Sequence, residues 1–150
     1  MTMLSRQILL RDSQASTLIE TALTLPLLVL LLVMAVDLGN AFSAAIATST
    51  AAQAGALYGI QHPTDITGMV AAARLEAPGL ATLAPVATYG CECSDGSSAT
   101  SGCSSVPSCT YNSMYYVELD TTSTYTPLLP YPGVTSVFTL HGKARMRAAR

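Results

Sequence analysis

The chain has 150 residues, of which half are hydrophobic and only 11% are charged, and its formal net charge is −2. Soluble domains usually carry about a quarter charged residues, so this composition favours a membrane protein. Nucleic-acid-binding proteins show a basic patch or stripe, which the slight acidic excess argues against. The length leaves room for one modest domain beside a membrane segment.

A polar leader at residues 1–15 precedes an apolar run in which no side chain from Leu27 to Val36 is polar. Two arginines lie in the leader, whereas no Lys or Arg occurs between Val36 and Arg74. The positive-inside rule therefore predicts a cytoplasmic N-terminus and an extracytoplasmic remainder.

The helical pattern continues from Ser16 to about Ile60, and Pro26 is expected to kink the helix rather than end it. Forty-five helical residues span about 67 Å, roughly twice the thickness of a bilayer core. We therefore predict a cytoplasmic leader at 1–15, a membrane helix with a projecting stem at 16–60, and an exported head domain at 61–150.

Two rows of side chains follow the outer half of this helix at helical spacing. One row is apolar, and the other contains only small side chains, which let a helix or sheet approach closely. The small-residue row packs either against the protein's own head or against neighbouring subunits. The apolar row comprises Leu38, Phe42, Ala45, Ile46, Ala52, Ala56, Leu57 and Ile60, and the small-residue row comprises Ser43, Ala47, Ala51, Gly55 and Gly59.

The head domain begins with a predicted short helix from Thr64 to Glu76, capped by Thr64. Strand-like runs follow at 82–89, 115–120 and 137–147, and Pro85 favours an edge position for the first. We expect an α+β fold, with the long helix, the short helix and a small three-stranded antiparallel sheet. The apolar face of the sheet has to be buried, and the stem offers a surface for it.

The last strand places His141, Lys143, Arg145 and Arg147 on one face at period two. The simplest interpretation is a solvated sheet face. The alternative is a surface that docks acidic partners or phosphate-rich surfaces.

All four cysteines lie in the segment predicted to be exported, where an even number can oxidise to disulfides. Zinc and free thiols are the less favoured alternatives, and the case for zinc is weak because the spacing lacks a C-x2-C pair and no His lies nearby. A bond between Cys91 and Cys93 would be strained. Two pairings stay open: Cys91–Cys103 with Cys93–Cys109, or Cys91–Cys109 with Cys93–Cys103. Either one staples a loop with little core of its own.

Glu20 lies near the start of the membrane helix. A carboxylate at the centre of a membrane helix costs about 2.5–3.5 kcal/mol, so it needs a partner. A cut between Ala15 and Ser16 would release an α-amino group that could pair with Glu20 in the membrane or between subunits. The alternative is a helix-start carboxylate in the headgroup region, favoured by the helix dipole.

The region around residues 11–60 resembles the TadE/TadG-like pseudopilins of the tight-adherence (Flp, type IVc) pilus system. The resemblance rests on Glu20 and Pro26 in the stretch 14–28, on an Asp-x-Gly-x-x-Phe element at 37–42, and on the small-residue run 51–58. Two positions depart from the family pattern. Ala15 stands where glycine is usual, and Thr21 stands where Phe or Tyr is common.

The resemblance implies a pilin-like fold and a minor pilin, or pseudopilin, that helps to initiate or prime assembly of an adhesion pilus. It implies cutting by a prepilin peptidase at Ala15/Ser16, and packing through the helix at Pro26, Gly39 and the small-residue row. The implied partners are other pilins, the peptidase and the assembly platform at the bacterial inner membrane, with no nucleic acid. No cofactor, metal or catalytic activity is expected, because no catalytic or metal motif stands out.

Two rival interpretations remain. In the first, the protein is secreted after removal of a signal peptide with its apolar region at 23–36 and a cleavage motif at 45–47. In the second, it is a membrane-anchored envelope protein that never enters a filament. Glu20, Pro26 and the helical pattern beyond residue 37 argue against the first.

Overall fold

The computed structural model describes residues 3–104, 108–130, 133 and 135–148. The elements in chain order are α1 (Met3–Gln61), α2 (Ile66–Glu76), β1 (Ala84–Cys93), β2 (Ala99–Ser101), β3 (Ser113–Tyr125) and β4 (Phe138–Ala148). The chain divides into two compact units, Met1–Asn40 and Ala41–Arg150.

The first unit is helical and carries its large apolar side chains on the outside. Those of Leu18, Leu25, Leu30 and Val36 are all at least half exposed. Ser16–Gln61 is the one helix among the described residues that is long and apolar enough to cross a membrane, and its most apolar window has mean hydropathy 2.4 with no part buried. A core helix of a soluble protein would be mostly buried, so the exposure suggests association with lipid.

The second unit contains an antiparallel sheet with strand order β2-β1-β3-β4. Its central pairs join β1 to β3 and β3 to β4, with Ala87 opposite Leu119 and Leu119 opposite Ala144. The predicted α+β class is confirmed. The expected count of three strands is wrong, because β2 also joins the sheet through Gly90–Glu92. A strand of three residues is too short to show an alternating pattern.

The strand predicted at 82–89 forms the first part of β1, and from Ala84 to Tyr89 it lies at an edge of the sheet among the described strands. Over Gly90–Glu92, β1 pairs with β2 on one side and β3 on the other. Its first half, which contains Pro85, pairs only with β3 among the described strands. This is where a residue without an N–H is tolerated.

The short helix α2 begins at Ile66, and its N-cap is Asp65, one residue later than the predicted cap Thr64. The Asp65 carboxylate accepts hydrogen bonds from the Gly68 amide at 2.9 Å and from the Thr67 hydroxyl at 2.8 Å. These two bonds are the main reason that the pKa of Asp65 lies below its ordinary value. Tyr58 on α1 also donates to this carboxylate at 2.9 Å, which links the two helices.

The core lies between the helices and one face of the sheet. Ala51, Ala52 and Ala56 of α1 are fully buried there together with Met69 of α2 and Leu119 of β3. The compact unit that contains the head therefore begins at Ala41 and includes the outer part of α1. The division at 60/61 into stem and head stays a prediction.

A buried polar group also ties α1 to the sheet. The Thr48 and Ser123 hydroxyls lie 2.6 Å apart, and the Thr121 hydroxyl donates to the Thr48 carbonyl at 2.8 Å. A side chain at Gly142 would meet this group, since an added Cβ would lie 2.6 Å from the Thr48 carbonyl oxygen. Hydrogen bonds between buried partners hold the helix in one register on the sheet.

Candidate functional site

The membrane segment of α1 presents Glu20 on an exposed apolar surface. Glu20 and Ser16 are both exposed. The backbone is helical on both sides of the bond between Ala15 and Ser16, and the side chain of Ala15 lies outside the described residues. The structure therefore places the predicted processing position one to two turns before Glu20 on a continuous helix.

Polar side chains near Glu20 satisfy their own hydrogen bonds along the helix. The Thr21 hydroxyl donates to the Thr17 carbonyl at 2.8 Å, and the Thr24 hydroxyl donates to the Thr21 carbonyl at 3.3 Å. Back-bonding of this kind suits a hydrocarbon environment, where a polar group without a partner is costly. An ionised carboxylate cannot satisfy itself in this way, because it has no proton to donate to a backbone carbonyl and the N–H groups of the helix interior are already used by the helix.

Pro26 lies inside α1, as expected of a membrane helix. Gly39 has open space around it, because an added Cβ would meet nothing within 4 Å. Asp37, two residues earlier, is only 4% exposed. Its burial is a finding that the sequence pattern did not indicate.

The small-residue row runs from an exposed end into the protein's own core. Ser43 is exposed and Ala47 is partly buried, whereas Ala51, Gly55 and Gly59 are buried. An added Cβ at Gly55 would lie 2.3 Å from Leu119 Cδ2, so the row packs against the sheet.

The large side chains of the apolar row point outward instead. Phe42 is 68% exposed, and Ile46, Leu57 and Ile60 are also exposed. Its alanines at 52 and 56 are buried. The helix therefore uses small residues to approach its own sheet, and its bulky apolar side chains remain available at the surface.

Opposed charges cover the outer face of the sheet. Lys143 Nζ lies 2.7 Å from Glu118 Oε1 and 3.6 Å from Asp120 Oδ1. Arg145 lies 2.5 Å from Glu92 Oε2, and Arg147 also bonds to Glu92. On the predicted solvated face, three basic side chains therefore form ion pairs with three acidic side chains. This balance weakens the alternative of docking acidic partners, because the basic groups already have carboxylate partners.

Glu92 is the most buried charge of this face, with a side chain 5% exposed. Burial raises the pKa of its carboxyl, and the hydrogen bonds and charges of Arg147 and Arg145 lower it by more, so the pKa lies below its ordinary value. Arg145 also lies over the Tyr116 ring, 4.2 Å from the centroid. The alternation of β4 revealed the basic residues, but only the register of β1 brings Glu92 beside them.

Two disulfides close the loop region at the far end of the sheet. They join Cys91 to Cys103 and Cys93 to Cys109, which is the first of the two pairings left open by the sequence. The residues that the structure describes contain no group of three or more His, Cys, Asp or Glu side chains that could hold a metal ion.

Residues 15–57 match the family model of TadE-like proteins. The resemblance seen in the sequence is thereby confirmed, and the match lies within α1 and does not reach the sheet. No curated protein and no solved structure matches the chain. The match supports involvement in the tight-adherence pilus system.

Proposed function

We propose that this protein is a minor pilin that helps to initiate or prime assembly of a tight-adherence pilus. The observation that carries the proposal is the exposed apolar helix of residues 16–36, which lies inside the TadE-like match. In this proposal the helix anchors the protein in the bacterial inner membrane, with the N-terminus in the cytoplasm and the head outside. Other pilins and the assembly platform would contact the protein there.

Glu20 would act through charge neutralisation. A prepilin peptidase cuts between Ala15 and Ser16, and the new α-amine pairs with a Glu20 carboxylate on the same helix or on a neighbouring one. The low dielectric of the membrane strengthens the attraction, while an unpaired carboxylate there would cost free energy. Pairing would therefore favour helices that have been cut and packed together over isolated ones.

The apolar row and Gly39 supply surface for that packing. Phe42 and Ile46 are exposed on the helix, and Gly39 leaves room for close approach by another helix. The space beside Gly55 and Gly59 is already filled by the protein's own sheet and by α2. Contacts with other subunits would therefore fall nearer the N-terminal end of the small-residue row, at Ser43, which is exposed.

The mature N-terminus tests the processing step. Protein recovered from sheared surface fibres should begin at Ser16 when its mass is read by mass spectrometry. A chain that enters fibres with residues 1–15 still attached would overturn the processing step.

Substitution of Glu20 tests the charge. Glu20→Ala and the nearly isosteric Glu20→Gln should both insert in the membrane normally but be depleted from sheared fibres, because neither can neutralise the α-amine. Glu76→Ala is the matched control, since it removes an exposed carboxylate from α2. Normal incorporation of Glu20→Gln would show that the negative charge is not needed.

A further inference from the structure

The direction of β3 along α1 identifies which end of the second unit lies nearest to the point where the chain enters it. A Cβ added at Gly59 would lie 3.1 Å from the Val117 side chain, and one added at Gly55 would lie 2.3 Å from the Leu119 side chain. The Thr48 hydroxyl is hydrogen-bonded to the Ser123 hydroxyl. β3 therefore runs in the opposite direction to α1, and its later residues lie closer to Ala41, where this unit begins. The end of β3 and the start of β4 therefore lie at the end of the unit where the chain enters.

That end carries exposed apolar side chains. Leu128 is 63% exposed, and Leu129, Val137 and Phe138 are exposed as well. We name these four residues the apolar tip. Leu128 and Leu129 closely follow the end of β3, and Val137 and Phe138 lie at the start of β4, where Phe138 pairs with Tyr125. Contiguous exposed apolar surface marks sites of interaction with proteins or membranes.

The chain around the apolar tip has a composition suited to a membrane surface. No Asp, Glu, Lys or Arg occurs between Asp120 and His141. Tyr125 is partly exposed and lies opposite Phe138 of the apolar tip on the neighbouring strand, so two aromatic residues lie at this end of the sheet. Aromatic residues are enriched at the level of lipid headgroups, where charged groups would not be needed for solubility.

Chain length keeps this end close to the bilayer. The uncharged membrane run ends at Val36, five residues before Ala41. Five residues span at most about 17 Å even when fully extended. The point where the chain enters the second unit is therefore tethered within about 17 Å of the end of the membrane run.

We propose that the apolar tip inserts into the boundary between headgroups and acyl chains of the bilayer that the helix crosses. This inference depends on the membrane anchoring in the proposed function. Apolar side chains buried at that boundary would bind the head to the surface in the way that interfacial segments do. The occupant is lipid rather than another subunit, because the covalent chain tethers this end of the unit within reach of the bilayer.

Single tryptophans test the proposal, because the chain contains none. Leu129→Trp and Phe138→Trp place a probe on the apolar tip, and Leu30→Trp places one in the membrane helix. Tyr111→Trp is the matched control, since Tyr111 is 72% exposed and precedes the start of β3 at the opposite end of the sheet. The full chain is reconstituted in phosphatidylethanolamine and phosphatidylglycerol vesicles with or without brominated acyl chains.

We expect brominated lipid to lower the fluorescence of the two tip probes, as of Leu30→Trp, relative to unbrominated vesicles, because the tip side chains would lie at the acyl boundary, and to leave Tyr111→Trp unchanged. Quenching of Leu30→Trp without quenching of either tip probe would overturn the inference while the anchoring stands. If Leu30→Trp is also unquenched, anchoring itself fails and the inference with it. Equal quenching of Tyr111→Trp would show general adsorption of the head and would likewise overturn a tip-specific contact.

Discussion

Two glycines of α1 set how closely the helix approaches the sheet. A Cβ added at Gly59 would lie 2.9 Å from the Met69 sulfur and 3.1 Å from a Val117 methyl, and the flexible end of methionine can move. A Cβ added at Gly55 would lie 2.3 Å from Leu119 and 2.7 Å from the Met69 backbone oxygen. Backbone cannot yield in the same way, so Gly55 is the stricter position.

Gly55→Ala should therefore destabilise the second unit. Overpacking of this kind typically costs about 1–3 kcal/mol, which outweighs a gain of about 1 kcal/mol from the better helix propensity of alanine. The free energy of unfolding of the full chain in detergent, measured by pulse proteolysis in urea, checks the effect. Gly39→Ala is the control and should be neutral or slightly stabilising, since nothing lies within 4 Å. Equal stability of the two variants would mean that the close approach is unnecessary.

Glu92 provides a pH-dependent contribution to stability. Its pKa in the folded protein lies below the ordinary value of 4.5. A carboxyl whose pKa is lowered by folding stabilises the fold fully above its ordinary pKa, and this stability is lost as the pH falls through the folded pKa. The loss from Glu92 should therefore appear below about pH 4.5.

Replacing Glu92 by Gln should cost about 1–3 kcal/mol at neutral pH, because Arg145 and Arg147 lose a charged acceptor. The variant should also lose less stability than the wild type between neutral and acid pH, because one linked carboxyl has been removed. Unfolding free energies measured at several pH values give the comparison, with Glu76→Gln as the control for an exposed carboxyl. A wild-type slope in Glu92→Gln would show that Glu92 does not contribute to acid unfolding.

Among the elements, long periodic segments were predictable and short pairings were not. The alternation of β4 correctly separates the partly buried Met146 and buried Ala144 from the exposed Arg145. In contrast, β2 has three residues and forms because β1 offers an open edge at Gly90–Glu92. Its existence depends on contacts distant in sequence, which no local pattern encodes.

The candidate site shows the same division. The residues of the small-residue row could be identified from spacing alone, but spacing cannot say which surface they contact. Gly55 is buried against Leu119, and this contact exists only because the folded sheet brings β3 beside α1. The partner of Arg147 was missed for the same reason, since Glu92 is 55 residues away along the chain.

The two disulfides should contribute equally to stability but differently to local structure. They close loops of 12 and 16 residues, and chain entropy predicts a loss of about 3 kcal/mol when either is removed. The Cys91–Cys103 bond fastens the chain directly after β2, where the Gly102 amide donates to the Tyr89 carbonyl at 2.9 Å. Loss of this bond should release β2 from β1.

Hydrogen exchange of the Gly102 amide measures that release. Exchange should accelerate strongly in the double variant Cys91→Ser/Cys103→Ser. The matched variant Cys93→Ser/Cys109→Ser should lose similar global stability and keep more of the protection at Gly102. Equal protection in both variants would contradict a local role for the first disulfide.

For the whole molecule, the decisive question is where the mature chain begins. If a signal peptide were removed after the motif at 45–47, the protein would begin at Thr48. That cut would delete Ala47, which packs against the core, and the Ala44 carbonyl that accepts the Thr48 hydroxyl at 2.8 Å. The compact unit includes these residues, since it begins at Ala41. The secreted form would therefore lose part of the helix that supports its own sheet.

We accordingly expect the protein to stay with membranes after alkaline extraction, and its head to be digested by protease added outside right-side-out spheroplasts. The helix of residues 16–36 should survive as a protected fragment, because lipid covers it. Mass spectrometry of that fragment reads its ends, and the intact cytoplasmic membrane is verified with a cytoplasmic marker protein. A soluble product beginning near Thr48 would favour secretion. A head protected from the protease would show that the head lies in the cytoplasm, opposite to the proposed orientation. In a reversed protein the head would meet a reducing compartment, so the cysteines at 91, 93, 103 and 109 would also react with a thiol reagent without prior reduction.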